Sequence, residues 1–368
     1  MNFDFSDDQK LLRKTARDFL NEHAPLTLCR AVLESDASYS DTLWRATAEL
    51  GWQGTAIPEK YGGAGFGHLE LAAIAEEIGY ALAPIPFSSS IYVASEAILL
   101  CGTEAQKQTY LPKVATGEII GTFAHSEEAG ESSADAIATV ADKGTIKGTK
   151  LPVADGDSAH FAIVTAKSGS GVGLALVDLG GSGVRRHKVR SIDPSRSLAA
   201  VQFDGAPAQW LGDKPCGAEA LRQVIDRAAV LYAFEQLGGA TRAFEITREF
   251  TLGRYAFGRP VASFQAIKHR LADLYVEIEL ARSNCYYGAW ALANNAPELA
   301  VAACGARSAA SDAFDLAGEE IIQMHGGVGF TWEYDCHLFY RRAKWMSTIL
   351  GSSNTWRDRL IERLQIRA

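Results

Sequence analysis

The chain changes texture twice, and the second change admits few folds. From about residue 216 the apolar residues recur at helical spacing over 218–252, 263–294, 297–325 and about 335–348. A helix of some 32 residues is about 48 Å long at 1.5 Å per residue. Long helices joined by short turns bury their apolar stripes only against one another, which predicts a C-terminal four-helix bundle over 216–368. Ahead of it, IIGTFAH, AIATVAD, TIKGTK, FAIVTA, GLALVDL and LAAVQFD are short, β-rich and separated by Gly, Ser and Asp clusters. DKGT (142–145) and SGSG (168–171) read as hairpin turns, and no intervening stretch is long enough for a parallel crossover helix. An antiparallel β-barrel or sandwich is therefore expected over 118–215.

Residues 1–117 read as helices. Ser6 with Gln9 and Thr103 with Gln106 are capping-box signatures. Leu11, Leu12, Ala16, Phe19 and Leu20 make a helical stripe that ends at Pro25, and further helices are expected at 41–50 and 69–82. The fold class is α+β: an N-terminal helical domain (1–117), the β domain (118–215) and the bundle (216–368).

Composition narrows the function. A net charge of −8 argues against a nucleic-acid binder, which needs a basic face. The six cysteines (Cys29, Cys101, Cys216, Cys285, Cys304, Cys336) are scattered, with no CxxC pair, as expected of free thiols in a reducing cytoplasm. No secretory signal or membrane-length apolar run is visible, so a soluble cytoplasmic protein is expected. The eight histidines form no HExxH, and no metal site is expected. Walker A and GxSxG motifs are absent, and Gly169, Gly171 and Gly173 miss the GxGxxG spacing.

Three stretches remain. In IIQMHGGVGFTWEYD (321–335) a helical run breaks at Gly326 and Gly327, then Gly329, Phe330 and Trp332 follow. Glycine caps helices by entering conformations with positive φ, but it also lets a ligand lie on bare backbone. GRYAFGRPVASFQAIKHRLADL (253–274) is a helix–turn–helix link with Arg254, Arg259, Gln265, Lys268 and His269 around Gly258 and Pro260. TFAHSEEAGESSAD (122–135) leaves a strand for a Ser/Glu/Gly loop. Each alone reads equally as an ordinary turn or exposed connection.

Together they are more specific. The helical–β–helical order, with R-x-x-F-G-x-P-x-x-x-x-Q at 254–265 and Q-x-x-G-G-x-G-[FY]-T-x-E at 323–333, resembles the acyl-CoA dehydrogenase family over essentially the whole chain. HGGVGFTWEYDCHLFYRRA is similar to a branch in which two related chains often form a heteromer. The resemblance implies FAD shared between two subunits, an acyl-CoA substrate, electron-transfer flavoprotein as acceptor, and a homo-oligomer or heterotetramer. It implies that Arg254 and Phe257 hold the diphosphate and adenosine of a neighbour's FAD, with Phe264 and Gln265 lining the same region. Gln323, Gly326 and Gly327 would approach the diphosphate and adenine. Ser352, Ser353 and Asn354 would touch FAD within the subunit; Ser126 would bond the flavin, with Glu127 beside it.

The pattern also departs from the family. Glu128 replaces a proline, and Pro152-Val153-Ala154 replaces a Trp-Ile-Thr segment behind the flavin, after a matching Lys150. Leu350 stands where many members carry the catalytic glutamate. Removing the α-proton of an acyl thioester needs a carboxylate. On the first bundle helix the candidates are Asp226, followed by Arg227, and Glu235, seven residues beyond Ala228 on the same face. Two readings follow: an α,β-dehydrogenase in its own right, in the manner of lipid β-oxidation, or a partner subunit that completes the FAD site of a catalytic sibling.

Overall fold

Helix ends form where their caps lie. In the computed structural model, which describes residues 5–127, 137–169 and 171–367, both predicted capping boxes close reciprocally. Ser6 starts α1 (Asp7–His23) and Thr103 starts α6 (Glu104–Ala115). Between them lie α2 (Leu26–Leu33), α3 (Asp41–Glu49), α4 (His68–Tyr80), a buried π-helix (Ser88–Ser95) and α5 (Glu96–Cys101). By contact the chain forms two units. One comprises Met1–Ala31, Ala72–Ala83 and Ala229–Ala368, the other Val32–Leu71 and Pro84–Ala228.

The second unit holds one sheet of eight strands: β1 (Gly121–Ala124), β2 (Val140–Asp142), β3 (Thr145–Ala154), β4 (Phe161–Ser168), β5 (Gly171–Asp178), β6 (Val184–Val189), β7 (Leu198–Pro207) and β8 (Gln209–Trp210). Their order is β6-β7-β3-β2-β4-β5-β8, with β1 also on β4. The expected hairpins join β2 to β3 and β4 to β5. The expectation of purely antiparallel pairing needs correcting: β1 and β2 both run parallel to β4, β1 beside Phe161–Val164 and β2 beside Lys167. No crossover helix is required there, because β3 itself carries the chain back between β2 and β4. The sequence pattern also passed over β6, VRRHKV, whose charged, largely exposed residues suit the sheet edge.

In the first unit the bundle helices appear close to their predicted bounds. They are α7 (Gly217–Gly253, which starts in the second unit), α8 (Gln265–Ala293), α9 (Leu299–His325) and α10 (Cys336–Met346). A further helix, α11 (Ser353–Arg367), was not anticipated; its charged sequence is anchored by the buried Trp356. The helix α9 packs against α8, α10 and α11, and its buried Ala302, Ala306, Ala310, Ala313 and Ala317 allow close approach. The closest crossing joins the C-terminal half of α4 to α7. A Cβ on Gly79 would lie 1.8 Å from the Glu235 carbonyl oxygen, and one on Gly238 equally close to that of Glu76. Among the described residues no helix is long and apolar enough to cross a membrane.

Candidate functional site

The first unit brings two of the three singled-out stretches together. Phe250, near the end of α7, stacks on His325, the last residue of α9, with ring centroids 4.0 Å apart. The two helices therefore end side by side, and the 254–265 and 323–330 segments leave from the same corner. Beyond α7 a tight two-strand ribbon pairs Tyr255 and Ala256 with Pro260 and Arg259. Its turn residues, Phe257 (φ 52°) and Gly258 (φ 77°), are both left-handed, as such turns require. Gly258 accepts this readily; a phenylalanine does not. Phe257 is nevertheless 97% exposed, and local strain with no burial in return marks a side chain kept for another purpose. Behind it, Phe264 meets Phe257 edge-on at 6.3 Å and carries the Arg259 guanidinium 4.0 Å above its ring.

The three glycines of the opposite segment separate cleanly. A Cβ on Gly329 would lie 2.4 Å from the Ile322 carbonyl oxygen, so packing demands that glycine. Gly326 has φ 65° and ψ −138°, a conformation reserved for glycine. Gly327 has neither reason: its φ is ordinary and nothing lies within 4 Å of an added Cβ. Around it Gln323, Gln265 and Arg254 are exposed, and none of their side chains hydrogen-bonds or pairs with another described residue. Phe330 is 87% exposed. A guanidinium, two amides, uncovered rings and bare backbone make a cradle suited to a flat, anionic ligand.

The 352–354 loop does not join that corner. Ser353 Oγ donates to Asp312 Oδ1 at 2.7 Å, eleven residues before Gln323 on α9, roughly 16 Å along the axis. Ser352 Oγ accepts from the Thr355 amide at 3.2 Å, starting α11, and Asn354 accepts from Arg357. Just before it, Leu350 holds a left-handed conformation (φ 61°). That corner is fixed by the buried Arg307, which donates to the carbonyls of Met346 (2.5 Å) and Ile349 (2.7 Å) and to Gln236. Sequence reasoning passed over Arg307. A buried arginine inside an alanine-rich helix was the available signal.

In the second unit, the Ser126 carbonyl accepts from the Leu151 amide at 2.8 Å, where the β3–β7 ladder is interrupted between Lys150 and Val153. The Ser126 hydroxyl has no partner among the described residues. Pro152 and Ala154 are half-buried, whereas Val153 is fully buried and faces the interior. Glu127 serves chiefly as a brace: its carboxylate accepts from the Ala138 and Thr139 amides (2.6 and 2.9 Å) and from Lys150 Nζ (2.7 Å). Burial pushes its pKa up, but these bonds outweigh burial and hold it at about 2. Burial lowers Lys150 to about 8, against the pull of Glu127. Glu128 lies outside the described residues.

The two candidate bases are both interior. Asp226 is 5% exposed and Glu235 0%. Arg227 pairs with Glu96 at 2.7 Å, and His68 Nε2 meets the other Glu96 oxygen at 2.7 Å. Burial raises the Glu96 pKa, but His68 and Arg227 together bring it to about 2. Glu235 sits in the first unit, its backbone covered by Gly79 and its charge within reach of Arg307.

An α+β chain with an open corner suited to a flat, anionic ligand at the end of a helical bundle falls in the class of ligand-binding proteins. Residues 6–118 match the acyl-CoA dehydrogenase N-terminal domain and residues 216–365 the acyl-CoA dehydrogenase C-terminal domain. Acyl-CoA dehydrogenase IpdE2 of Mycobacterium tuberculosis is 34% identical over 347 residues, covering 94% of each chain. The structure of the steroid ACAD Tcur3481-Tcur3483 is similar at a TM-score of 0.88 and 31% identity over 98% of both chains. The ChsE4-ChsE5 complex from Mycobacterium tuberculosis is similar at 0.90 and 25% identity over 99% of both. The chain belongs to the acyl-CoA dehydrogenase family. Its members are oxidoreductases that act on acyl-CoA with FAD as cofactor, in agreement with the resemblance carried by 254–265 and 323–333. The open backbone at Gly327 and the uncommitted Arg254 and Gln323 fit the adenine and diphosphate end of that cofactor.

Proposed function

We propose that this chain takes part in the α,β-dehydrogenation of an acyl-CoA to its trans-2-enoyl-CoA, as one subunit of an assembly with a related chain. Electrons leave to an electron-transfer flavoprotein. The observation that carries this reading is an imbalance within the chain. The corner suited to the cofactor's ADP end is open and uncommitted, while the expected base position holds Leu350 and the two acidic candidates on α7 are buried. FAD, when bound, supplies the two-electron acceptor. Arg254 gives the diphosphate charge-assisted hydrogen bonds, Gln323 and Gln265 add amide donors, and Phe257 with Phe264 stacks on the adenosine. Gly327 admits the ligand against backbone. Arg307, by gripping the carbonyls of Met346 and Ile349, shapes an apolar wall at Leu350 where a sibling chain carries a carboxylate to take the α-proton. The exposed Tyr275, Val276 and Leu280 on α8 supply apolar surface for that assembly. The two-protein name of the ChsE4-ChsE5 relative agrees with it.

The test is to purify the chain alone and after co-expression with a related chain that bears glutamate at the position of Leu350. The pair should be yellow and reduce an artificial acceptor with some member of an acyl-CoA panel; the lone chain should do neither. A lone chain that is yellow and active would overturn the assembly. Asp226→Asn and Glu235→Gln would then decide which acid is its base, by loss of turnover with flavin retained.

A further inference from the structure

Lys150 on β3 is buried to the end of its side chain. An ammonium there carries a desolvation cost that a methionine of similar length avoids, so the reason for it lies in its bonds. Its Nζ donates to the His125 carbonyl at 3.0 Å and to Glu127 Oε1 at 2.7 Å. The next residue, Leu151, donates its amide to the Ser126 carbonyl at 2.8 Å, where the β3–β7 pairing lapses between Lys150 and Val153. Two consecutive residues thus hold three consecutive residues of the segment that leaves β1. On the far side His125 Nδ1 lies 3.0 Å from Thr165 Oγ1 on β4, and the Glu127 carboxylate accepts the amides of Ala138 and Thr139. This staple also sets an orientation. In a trans peptide the C=O and the following N–H point in opposite directions. With the His125 carbonyl turned to Lys150, the Ser126 N–H points away from it. Neither that N–H nor the Ser126 hydroxyl bonds to another described residue. Half-buried Ser126 therefore presents two uncommitted donors from a backbone fixed on both sides.

We propose that Lys150 is a positioning residue that aims the two Ser126 donors at the flavin ring system, and that the Lys150–Glu127 pair tunes the flavin's reduction potential. The proposal rests on the reading of this chain as a flavoprotein subunit, and it adds that a flavin ring lies against this chain's own sheet. Bonds that outweigh its burial hold the Glu127 carboxyl at about 2, and burial lowers Lys150 to about 8, so both are charged at neutral pH. Beside Ser126 the two charges offset each other. Reduction adds negative charge to a flavin, so a lone cation nearby favours it and a lone carboxylate opposes it. The pair therefore does two things. It fixes the donors in place, and it keeps the net charge next to them at zero. A brace that acts through shape alone has no such dependence on sign.

The co-expressed assembly is titrated at neutral pH against a redox dye of known potential, with the flavin absorbance followed. Lys150→Met should move the potential to more negative values and Glu127→Gln to more positive ones, with the double variant close to wild type. Lys150→Met should also shift the visible flavin band as Ser126→Ala does. Combining those two should add nothing further to the band, since both remove the same oriented hydroxyl. Potential shifts of the same sign in Lys150→Met and Glu127→Gln would overturn the proposal. So would retained flavin whose potential and spectrum ignore both changes, a result that leaves the assembly standing and puts its flavin ring on the sibling's sheet. A wild-type assembly that holds no flavin would overturn the functional reading and the proposal with it. Should Lys150→Met fail to fold, the sign of the Glu127→Gln shift and the Ser126→Ala spectrum decide the matter.

Discussion

The corner at the ends of α7 and α9 and the β1–β3 seam inside the sheet both hold residues that the family resemblance assigns to one cofactor site, yet they use their polar residues in opposite ways. At the corner, Arg254, Gln265 and Gln323 have no described partner, and Phe257 stands in solvent on a strained backbone. At the sheet seam, Glu127 and Lys150 are bonded to each other and to three backbone groups. A residue with no task in folding is visible as a ligand motif, because nothing else accounts for it. A residue that braces the fold looks the same in a motif, but its removal is felt before any ligand arrives.

The sharpest way to break this comparison is at Lys150, whose side chain is fully buried against Glu127. Lys150→Met takes the buried cation away from a half-buried carboxylate and should cost about 1–3 kcal/mol in urea denaturation. A change below about 1 kcal/mol would show that this pair is no brace. Acid titration probes the same region. The carboxyls of Glu127 and Glu96 both sit near 2 in the folded protein, below their usual 4.5. The unfolded chain then binds protons first, so stability present above about pH 4.5 is lost as pH falls toward 2. Glu127→Gln should flatten that part of the profile, followed by circular dichroism.

At the corner the expectation reverses. Arg254→Gln should leave the unfolding midpoint within about 0.5 kcal/mol, as surface changes do, while weakening FAD retention by about 2 kcal/mol, or ~30-fold. Flavin fluorescence after dialysis of the co-purified assembly measures it. An equal loss of fold stability would put Arg254 in the same class as Lys150.

This contrast also explains what the sequence could and could not disclose. Helix caps, hairpin turns and the long bundle helices depend on neighbours in the chain, and Ser6, Thr103 and the DKGT turn announced them. The motif at 254–265 and 323–333 was legible because the side chains of Arg254, Gln265 and Gln323 have no hydrogen-bonding partner among the described residues to hide them. The parallel pairing of β1 and β2 with β4, the grip of Arg307 on the Leu350 corner and the Glu96–Arg227–His68 cluster depend on contacts between distant segments, which no local pattern encodes. Strand β6 escaped because an edge strand needs no alternating apolar face. Glu127 was read as a cofactor neighbour since its spacing fits the motif; its three bonds emerge only when residues 138, 139 and 150 fold against it.

Phe257 sharpens the comparison further. Asparagine tolerates the left-handed conformation better than phenylalanine, so Phe257→Asn should keep or slightly raise stability, by up to about 1 kcal/mol. A residue kept against its backbone preference must be retained for something else. FAD retention should therefore fall by about tenfold, matching the roughly 1.4 kcal/mol scale of one aromatic stacking contact. Loss of stability instead would place the ring in the fold rather than in the site.

The smallest effect is the most discriminating. Gly326 and Gly327 are adjacent, yet only Gly326 needs glycine for its backbone. Gly326→Ala should cost about 1 kcal/mol or more of stability. At Gly327, alanine meets open space at an ordinary φ, so Gly327→Ala should be neutral or stabilising by up to about 1 kcal/mol. The added methyl then occupies only the space where a ligand would lie, and FAD retention should drop several-fold with the fold intact. If Gly327→Ala instead binds FAD as well as the wild-type protein does, the bare backbone there is a helix terminus alone, and the cradle reduces to its arginine and its rings.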